Sequence, residues 1–482
     1  MNDYLPYLLP VMYIALQVAA IIAALEALLY SRTSQGAIAW SLFLVMFPLL
    51  GLPAYLIFGG RKFTGYLDAR RSGNQPLQRL VQEARETLPQ SILAKFSDDE
   101  YDHKVLTRLA RMPFFAGNRC QLLIDGEKTF KAIFDKIEQA NEYVLVQFYI
   151  VKDDELGRTL QELLIKKSQA GVRIYFLYDA IGSHALPAAY IFRLQSAGVK
   201  TAVFSGSSHG KGHFFRINFR NHRKIVVVDG TTAYVGGHNV GDEYVGKSPS
   251  PRLRPWRDTH VEVCGPAVLG IQLAFLEDWY WATQEIAQVS SKPCDVHVDS
   301  NQRVLVLPSG PADEFDTCGL LFAELIHSAR QRIWIVSPYF VPDETIISAL
   351  QLAALRGVDV RIMLPERADS YIIYLAMFTY LYETLPFDIH VYSYQAGFLH
   401  QKVVLVDDEL AGIGTANFDN RSFRLNFEIT LLFADKTCVH DVEAMLENDF
   451  SQCRRMEMKD IEQRPIWFRL LTRIARLFSP VL

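Results

Sequence analysis

The sequence of 482 residues lacks several features by which chains of this length are often classified. Its six cysteines are spread singly, with no CxxC pair and no metal-ligand spacing, which indicates free thiols in a reducing compartment. There is no basic excess, since the formal net charge is -4, and this disfavours a dedicated nucleic-acid binder. An HExxH helix, a DxD cluster and a Gly-rich GKT loop are all missing, so we expect neither a metal nor a cofactor.

Apolar sequence is plentiful, at 50% hydrophobic residues, and it is concentrated at the N-terminus. Residues 11–30 contain only Gln17 and Glu26 as strongly polar members and are long enough to cross a bilayer as a helix. A second uncharged run, residues 37–58, contains Pro48 and Pro53, which should kink it or make it re-entrant. We predict a membrane hairpin of two apolar helices over residues 1–60.

The flanking charges predict how this hairpin is oriented. A cleaved signal peptide is the alternative for the first run, but residues 1–10 contain no Lys or Arg and a second apolar run follows directly. One basic residue lies in the turn and four follow the second run: Arg32, then Arg61, Lys62, Arg70 and Arg71. Because basic residues stay inside, we expect a multi-pass protein of the inner cell membrane with its catalytic part in the cytoplasm.

An internal repeat organises the remainder, after a juxtamembrane linker at residues 61–115. Residues 222–239 align without a gap on residues 400–417, and both copies read as a β-hairpin. Weaker matches, which read as βαβ units, pair residues 146–160 with 336–350 and 170–179 with 356–365. We predict two α/β halves, residues 116–290 and 300–460, related by a pseudo-twofold axis at which equivalent residues can meet.

Each copy of the hairpin carries the same four polar residues: His222, Lys224, Asp229 and Asn239 in the first, His400, Lys402, Asp407 and Asn417 in the second. An imidazole can act as nucleophile, general base or general acid near neutral pH. A Lys two residues along lies on the same strand face and adds positive charge, while the Asn adds an uncharged donor. Two such sets would surround a phosphodiester and could form a covalent phosphohistidine.

The doubled pattern HxKxxxxD followed by GxxN resembles the duplicated HKD motif of the phospholipase D superfamily. YLIFGGRK, PYFVP and the C-terminal RPIWFRLLTRIARLFSPVL extend the resemblance to bacterial cardiolipin synthases of the phospholipase D type. This resemblance implies the fold class α/β, with two pseudo-twofold-related α/β/α sandwich halves after an N-terminal transmembrane helical hairpin. It also implies a phosphatidyltransferase that condenses two phosphatidylglycerols into cardiolipin and glycerol through a phosphatidyl-histidine.

The resemblance further implies a role for each residue. His222 is expected to attack phosphorus and His400 to act as general acid and then base, although the reverse order stays open. Phosphate would be bound by Lys224, Lys402, Asn239 and Asn417. A carboxylate behind each histidine would be supplied by Asp258 and Glu428.

Two details of the motif need separate treatment. Asp229 and Asp407 belong to the catalytic motif, but their position at a turn indicates a structural role in which they bind backbone amides. The family often has Ser after the glycine of GxxN, where this chain has Gly237 in one copy and Thr415 in the other. Thr415 keeps the hydroxyl, so the first half is expected to lack one donor.

Other features have less specific readings. His209 and His213 lie in a Gly-rich stretch without a third ligand, which disfavours a metal site. The basic run that follows, Lys211, Arg216, Arg220, Arg223 and Lys224, could attract anionic lipid or be a solvated loop. His238 and His260 are expected to be mainly structural, with hydrogen bonding within the site as the alternative, and the role of Arg257 stays open between the same two. Residues 371–382 are apolar nearly all round, which favours a core helix over a lipid-facing one.

The C-terminal residues 463–482 are predicted to form an amphipathic helix. Its apolar stripe comprises Trp467, Leu470, Leu471, Ile474, Leu477 and Phe478, and its basic face carries Arg469, Arg473 and Arg476. Such a helix can lie on an anionic membrane. Docking of the stripe onto the soluble domain is the alternative.

Three functions of different classes follow from these features. The first is the phosphatidyltransferase, with phosphatidylglycerol, other anionic phospholipids and the membrane as partners. A phospholipase D-type hydrolase, either a phospholipase or a membrane-tethered nuclease, and a silent lipid-binding scaffold are the alternatives. We expect no nucleic-acid partner, because of the acidic net charge.

Overall fold

The computed structural model describes residues 5–31, 34–59, 89–97, 103–205, 218–248, 250–290 and 300–482. The chain divides into two compact units, one of Met1–Gly73 with Ser205–Phe219 and one of Asn74–Phe204 with Arg220–Leu482. The basic residues that predict the membrane orientation, and both His209 and His213, lie outside the described residues.

The described residues of the N-terminal unit form three helices, α1 (Leu5–Tyr30), α2 (Ser34–Met46) and α3 (Pro48–Phe58). The second apolar run, which was expected to be kinked or re-entrant at its prolines, is interrupted at Phe47, because Pro48 has no N–H with which to continue α2 and instead begins α3. Alanines on one face of α1 pack against Leu44 and Tyr55. Within the described residues, Pro10–Tyr30 is the segment long and apolar enough to cross a membrane.

The larger unit is built on one 16-stranded sheet of the described residues. Its first half contributes β1 (Phe115–Ile124), β2 (Tyr143–Phe148), β3 (Arg173–Asp179), β4 (Lys200–Phe204), β5 (Arg220–Asn221), β6 (Ile225–Val228), β7 (Thr232–Gly236) and β9 (Thr259–Cys264). The second half contributes β10 (Gln302–Ser309), β11 (Arg332–Val336), β13 (Asp359–Pro365), β14 (His390–Tyr394), β16 (Val403–Val406), β17 (Leu410–Gly414), β19 (Asn426–Phe433) and β20 (Cys453–Arg455). Short two-stranded pairings add β8 (Trp256–Arg257), β12 (Phe340–Val341), β15 (Phe398–Leu399) and β18 (Phe418–Asp419).

Helices cover this sheet: α4 (Lys104–Ala110), α5 (Asp125–Glu138), α6 (Glu155–Gln169), α7 (Ala188–Ser196), α8 (Ala267–Thr283), α9 (Thr317–Ser328), α10 (Glu344–Leu355), α11 (Tyr371–Thr384), α12 (Asn420–Arg424), α13 (Lys436–Phe450), α14 (Met458–Glu462) and α15 (Ile466–Arg476). β2, β3 and β4 are parallel and are joined by helices, as are β11, β13 and β14. The strands of both repeats are buried along their whole length, as expected for a sheet covered on both faces.

The strand order shows the pseudo-twofold arrangement directly. The first half runs β1-β9-β7-β6-β2-β3-β4 and the second runs β10-β19-β17-β16-β11-β13-β14-β20, joined by the antiparallel pair β1 and β10. The predicted hairpins are present as β6–β7 and β16–β17. Both halves therefore belong to one continuous sheet, while the residue boundaries given for them stay a prediction.

The C-terminal helix α15 docks through a face that the sequence did not single out. Phe468, Thr472 and Ala475 are buried, and the Phe468 ring lies 5.2 Å from that of Phe378 in α11. The predicted stripe lies on a different face and stays exposed, with Leu470 60% and Leu477 77% accessible. The alternative in which this stripe docks onto the domain is therefore wrong. In α11 the middle of the helix is buried, which confirms a core helix there.

Candidate functional site

Two short strand pairings exchange between the halves and place each histidine. β5, just before His222, pairs with the start of β19 in the second half, and the His222 amide donates to the Phe427 carbonyl at 2.9 Å. β15, just before His400, pairs with β8 in the first half, and the His400 amide donates to the Arg257 carbonyl at 2.8 Å. Each histidine therefore lies beside the residue that directly follows its backbone acceptor in the strand of the other half.

Those following residues are the two predicted carboxylates. Nδ1 of His222 lies 3.0 Å from both carboxylate oxygens of Glu428, and Nδ1 of His400 lies 2.7 Å from Oδ2 of Asp258. All four side chains are buried or nearly so. The carboxylate of each pair comes from the half opposite to its histidine, which sequence reasoning did not specify. An Nδ1–H held by a carboxylate leaves Nε2 to act on a substrate.

Burial is the main influence on the ionisation of the two imidazoles. It lowers the pKa of His222 and of His400 to about 4, although the carboxylate partners oppose it. For Asp258 and Glu428 burial acts in the opposite direction, but the surrounding histidines and lysines outweigh it and lower both carboxyl pKa values. Near neutral pH the site therefore holds neutral imidazoles against ionised carboxylates.

The two motif lysines lie within the same electrostatic cluster. Lys402 Nζ is 2.9 Å from Nδ1 of His400, and Lys224 Nζ donates to the His222 carbonyl at 2.6 Å. Burial lowers the pKa of Lys402 to about 8 and lowers that of Lys224 as well. Lys402 also lowers the pKa of His222, so the first and second motifs interact across the pseudo-twofold axis.

The two motif asparagines lie in different surroundings. Asn239 Oδ1 accepts from the Ile150 amide at 3.1 Å, and its Nδ2 donates to the Tyr244 hydroxyl at 2.9 Å. Asn417 has a buried side-chain Oδ1 without a hydrogen-bond partner among the described residues. Its backbone N–H donates to the Ser422 hydroxyl at 3.0 Å. Phosphate binding by these two residues stays a prediction.

The motif aspartates lie at the far end of the hairpins from the imidazoles. Asp229 accepts from the amides of Asn141, Glu142 and Tyr143, and has a φ of 51°. Asp407 does the same for the amides of Arg330, Gln331 and Arg332, with a φ of 49°. Each lies seven positions along the chain from its histidine, on the order of 20 Å in extended chain. Both aspartates clamp the turn before the neighbouring strand, and their inclusion among the catalytic residues stays a prediction.

Several aromatic residues at the site escaped sequence analysis. The Tyr149 ring packs edge-on against His222 with centroids 5.0 Å apart, and Trp256 lies 5.0 Å from His400. A signal for Tyr149 was present in the repeat, because it aligns with Tyr339 in the matched segments 146–160 and 336–350. Trp256 has no counterpart in the repeat alignment and could not be found in this way.

The residues to which sequence analysis assigned no specific role have distinct surroundings in the structure. Arg223 is not a lipid-facing residue, since its guanidinium forms a buried ion pair with Asp278 at 3.0 Å. Arg257 forms a similar buried pair with Asp449 at 2.6 Å. Nδ1 of His238 lies 3.0 Å from Nδ1 of His260, next to Asp258. No group of three metal-ligand side chains occurs in the part of the chain that the structure describes.

Comparisons with known proteins agree with this geometry. Residues 133–248 and 322–450 match the family described as "Cardiolipin synthase, PLD-like domain", and residues 18–60 match "Phospholipase_D-nuclease N-terminal". Cardiolipin synthase A of Pseudomonas entomophila (strain L48) and that of Pseudomonas putida (strain W619) are each 48% identical to this chain over 484 residues, covering 100% of both proteins.

A solved structure shows the same fold at low sequence identity. The phosphatidylserine synthase of Haemophilus influenzae Rd KW20 superposes with a TM-score of 0.60 at 15% identity, covering 79% of this chain and 99% of that one. The family match over both halves and the full-length relatives carry the assignment further than fold alone. The chain belongs to the cardiolipin synthase family of the phospholipase D superfamily.

Proposed function

We propose that this chain is a membrane phosphatidyltransferase that condenses two phosphatidylglycerols into cardiolipin and glycerol. The observation that carries the proposal is the pair of crossed histidine–carboxylate contacts, His222 with Glu428 and His400 with Asp258, flanked by two buried lysines. Family membership supports the same reaction, because the full-length relatives are named cardiolipin synthase A.

In the first step Nε2 of one imidazole attacks the donor phosphorus, and the bond from phosphorus to the headgroup glycerol oxygen breaks. The other imidazole, protonated, gives its proton to the departing glycerol. With the order that the resemblance implies, His222 attacks and His400 is the acid. The product of this step is a phosphatidyl-histidine and free glycerol.

In the second step a hydroxyl of the other phosphatidylglycerol attacks the phosphatidyl-histidine. The neutral imidazole left by the first step accepts the proton of that hydroxyl, and the P–N bond breaks as the new P–O bond forms. Cardiolipin leaves, and the protonated imidazole is ready for the next donor. Water in place of the lipid hydroxyl would give phosphatidic acid, which is the hydrolase alternative.

The charges of the site suit this sequence of protonation states. In the site without substrate both imidazoles have a low pKa because they are buried. A bound phosphodiester brings a negative charge between the histidines and lysines, which raises the pKa of the imidazoles. The anionic substrate itself thus promotes the protonated imidazole that the first step requires, while the lysines stabilise charge on the phosphoryl oxygens.

Product analysis by mass spectrometry tests the proposal. Purified protein is incubated with phosphatidylglycerol in mixed micelles without added metal, alongside His222→Ala, His400→Ala and the exposed control His440→Ala. We expect cardiolipin and free glycerol from the wild type and the control, and neither from the two site variants. Phosphatidic acid as the sole product would mean hydrolysis, and turnover that survives both site substitutions would overturn the assignment.

We also infer that the exposed stripe of α15 contacts the membrane. Six large apolar side chains on α15 and the two residues after it are exposed, and α15 also carries Arg469 and Arg473. The anionic lipid substrate provides a surface of matching chemistry. The N-terminal candidate span supports a membrane location for the same chain. We extend this to an inner-membrane, multi-pass protein with a cytoplasmic site, from the flanking charges.

Substitution tests this contact better than deletion of residues 463–482, because the Leu482 carbonyl accepts from the Arg421 amide and truncation would disturb α12. Leu470→Ser combined with Leu477→Ser should lower activity on anionic vesicles about tenfold or more and leave activity in detergent micelles nearly unchanged. Leu352→Ser, at an equally exposed leucine of α10, is the control. Equal losses in both lipid presentations would contradict membrane contact.

A further inference from the structure

Asp449, near the end of α13, is a buried carboxylate that the proposed reaction does not use. It forms a two-point ion pair with Arg257, whose Nε lies 2.9 Å from Oδ1 and whose Nη2 lies 2.6 Å from Oδ2. A pair in which both carboxylate oxygens meet the planar guanidinium fixes direction as well as distance. Buried ion pairs add little net stability over apolar side chains of the same volume. What Arg257 does with its third nitrogen is therefore the more informative contact.

That third nitrogen connects Arg257 to the carboxylate residue of the site. Nη1 of Arg257 donates to the Asp258 carbonyl at 3.0 Å. The carbonyl of Arg257 in turn accepts from the His400 amide at 2.8 Å. Arg257 thus contacts the backbone of both members of the His400–Asp258 pair. Because Asp449 fixes the Arg257 side chain, a change at Asp449 is passed on to this pair.

Gln401 makes a second connection from Asp449 to the same pair. Its Nε2 donates to Oδ2 of Asp449 at 2.8 Å, and its Oε1 accepts from the Thr259 hydroxyl at 2.9 Å. Gln401 directly follows His400 in the chain. Thr259 directly follows Asp258 and donates its amide to the Asp258 carboxylate at 2.8 Å. Two hydrogen-bonded connections therefore start at Asp449, and both end beside the imidazole and its carboxylate.

These connections cross between the two halves, because Arg257 belongs to the first half and Asp449 to the second. The distance from His400 to Asp258 depends on how β8 of one half meets β15 of the other. Each of these strands has two residues, so the ladder between them supplies few hydrogen bonds. Side-chain contacts from α13 add to this short ladder and fix its register.

The other histidine–carboxylate pair has an equivalent arrangement made from different positions. Asp278 in α8 is buried and accepts from Nη1 of Arg223 at 3.0 Å. Nε of Arg223 donates to the Glu428 carbonyl at 2.9 Å. Arg223 corresponds to Gln401 in the gap-free alignment of the repeats, so the arginines of the two halves come from different strands. An arrangement that occurs twice without being imposed by the repeat points to a common requirement, which is a fixed carboxylate.

We propose that Asp449 is a positioning residue, which holds Asp258 against His400 through Arg257 and Gln401. The inference rests on the proposed function and deepens it, because it assigns the alignment of one histidine–carboxylate pair to α13. Asp449 serves His400 in this way and does not serve His222.

Two donors separate positioning from a general loss of folding. Phosphatidylglycerol releases glycerol, whose oxygen needs a proton from the general acid as its bond to phosphorus breaks. Phosphatidyl-p-nitrophenol releases p-nitrophenolate, which leaves as a stable anion without that proton, while the phosphatidyl group is transferred to the same histidine. The release ratio, defined as the first-turnover rate of glycerol release divided by that of p-nitrophenolate release, therefore distinguishes damage to the general acid from damage to the nucleophile.

The full-length protein in mixed micelles is compared with Asp449→Asn and with the milder Gln401→Met. Asp258→Asn and Glu428→Gln are the references, because each removes the carboxylate charge from one histidine directly. Glu443→Gln is the matched control, since it breaks an ion pair with Arg332 on the same helix α13. Thermal unfolding of every variant in the same micelles reports its stability, and Gln401→Met provides the same comparison if Asp449→Asn does not fold.

We expect Asp449→Asn to lower kcat for phosphatidylglycerol about 10- to 100-fold with KM within about twofold, because a misplaced catalytic group costs rate and not binding. Gln401→Met should lower kcat about fivefold, and Glu443→Gln should leave it unchanged. The release ratios of Asp449→Asn and Gln401→Met should change as that of Asp258→Asn does. A release ratio that follows Glu428→Gln, or a wild-type kcat for Asp449→Asn, overturns the positioning role.

Double variants test the same role whichever histidine attacks. Asp449→Asn added to Asp258→Asn should cost less than about twofold further, because both substitutions act on one contact, whereas added to Glu428→Gln it should cost its full single-variant loss. A full additional loss in the Asp258→Asn background overturns the positioning role. Wild-type protein that releases neither glycerol nor p-nitrophenolate overturns the proposed function instead.

Discussion

The two histidines are held by carboxylate side chains of different length, and these carboxylates accept hydrogen bonds from different kinds of donor. Glu428 accepts from His222, from the Thr415 hydroxyl at 2.6 Å and from the Asn426 amide group at 3.1 Å. Asp258 accepts from His400 at 2.7 Å and from the Thr259 amide at 2.8 Å. The longer side chain is thus fixed by side-chain donors and the shorter one by the backbone.

The difference explains why the motif departs from its usual serine in the first half. At Gly237 an added Cβ would lie 2.0 Å from Oδ1 of Asp258, so the shorter carboxylate occupies the space that Thr415 fills in the other half. The conformation there is not left-handed, and the requirement for glycine is therefore one of space. The missing hydroxyl is no loss for Asp258, since a backbone amide donates in its place. The same histidine–carboxylate contact is therefore formed in one half by Asp258 with Gly237 and in the other by Glu428 with Thr415.

The largest effect on this comparison should come from removing one carboxylate charge. Asp258→Asn and Glu428→Gln should each lower kcat about a thousandfold or more, because the imidazole loses the partner that fixes its tautomer and stabilises its protonated form. Each substitution acts on the histidine of the opposite half. The measurement is cardiolipin formation in mixed micelles, with thermal unfolding as the check on folding. A loss below about tenfold for either variant would show that the crossed contact is dispensable.

A second test exchanges the small residues behind the carboxylates. Gly237→Ala should lower kcat about 100-fold, because its Cβ displaces the Asp258 carboxylate from His400. Thr415→Gly removes only one of three donors to Glu428 and should cost about tenfold. Measuring kcat for both variants at the same pH shows which substitution causes the larger loss. Equal losses would mean that space and hydrogen bonding contribute alike, contrary to the geometry.

The repeat made much of the fold and the main side chains predictable. A gap-free alignment of the two hairpins requires equivalent His, Lys and Asn positions, and a continuous sheet of two related halves is the simplest way to bring them together. Asp258 and Glu428 were expected from the family resemblance, which implies a carboxylate behind each histidine, and each was placed at a β-like run of the sequence. The break at Pro48 followed from the missing N–H, although its consequence, a separate α3, was not drawn.

The crossed pairing could not be predicted, because it depends on β5 and β8, strands of two residues that no periodicity reveals. The docking face of α15 was missed for a related reason. Its stripe of large side chains is the obvious apolar face, but the buried face uses Phe468 with the small side chains of Thr472 and Ala475, which allow close approach to α11. The helix therefore docks through the face that can pack more closely against α11.

The lysines offer a smaller and pH-dependent contrast. Burial lowers the pKa of Lys402 to about 8, so in the enzyme without substrate its positive charge is present below that pH and lost above it. We expect kcat/KM to fall as the pH rises through about 8, and kcat to fall only at higher pH, because a bound phosphodiester raises the pKa of Lys402. Initial rates measured at about nine pH values between pH 6 and pH 10 give the pH dependence of both kinetic constants. A kcat/KM that stays flat across this range would contradict a titrating lysine.

The smallest effect should come from the histidine pair behind Asp258. His238 and His260 have Ala416 and Thr430 as their counterparts in the second half, so Glu428 has no comparable histidine pair behind it. Nε2 of His238 is buried without a hydrogen-bond partner among the described residues, so His238→Ala removes an unsatisfied polar atom while it leaves a cavity. These two changes oppose each other in stability, and we expect kcat within about threefold of wild type with a small change in Tm. A loss of tenfold or more in kcat, with the fold intact, would show instead that the pair tunes Asp258 and that the two halves differ in chemistry as well as in residues.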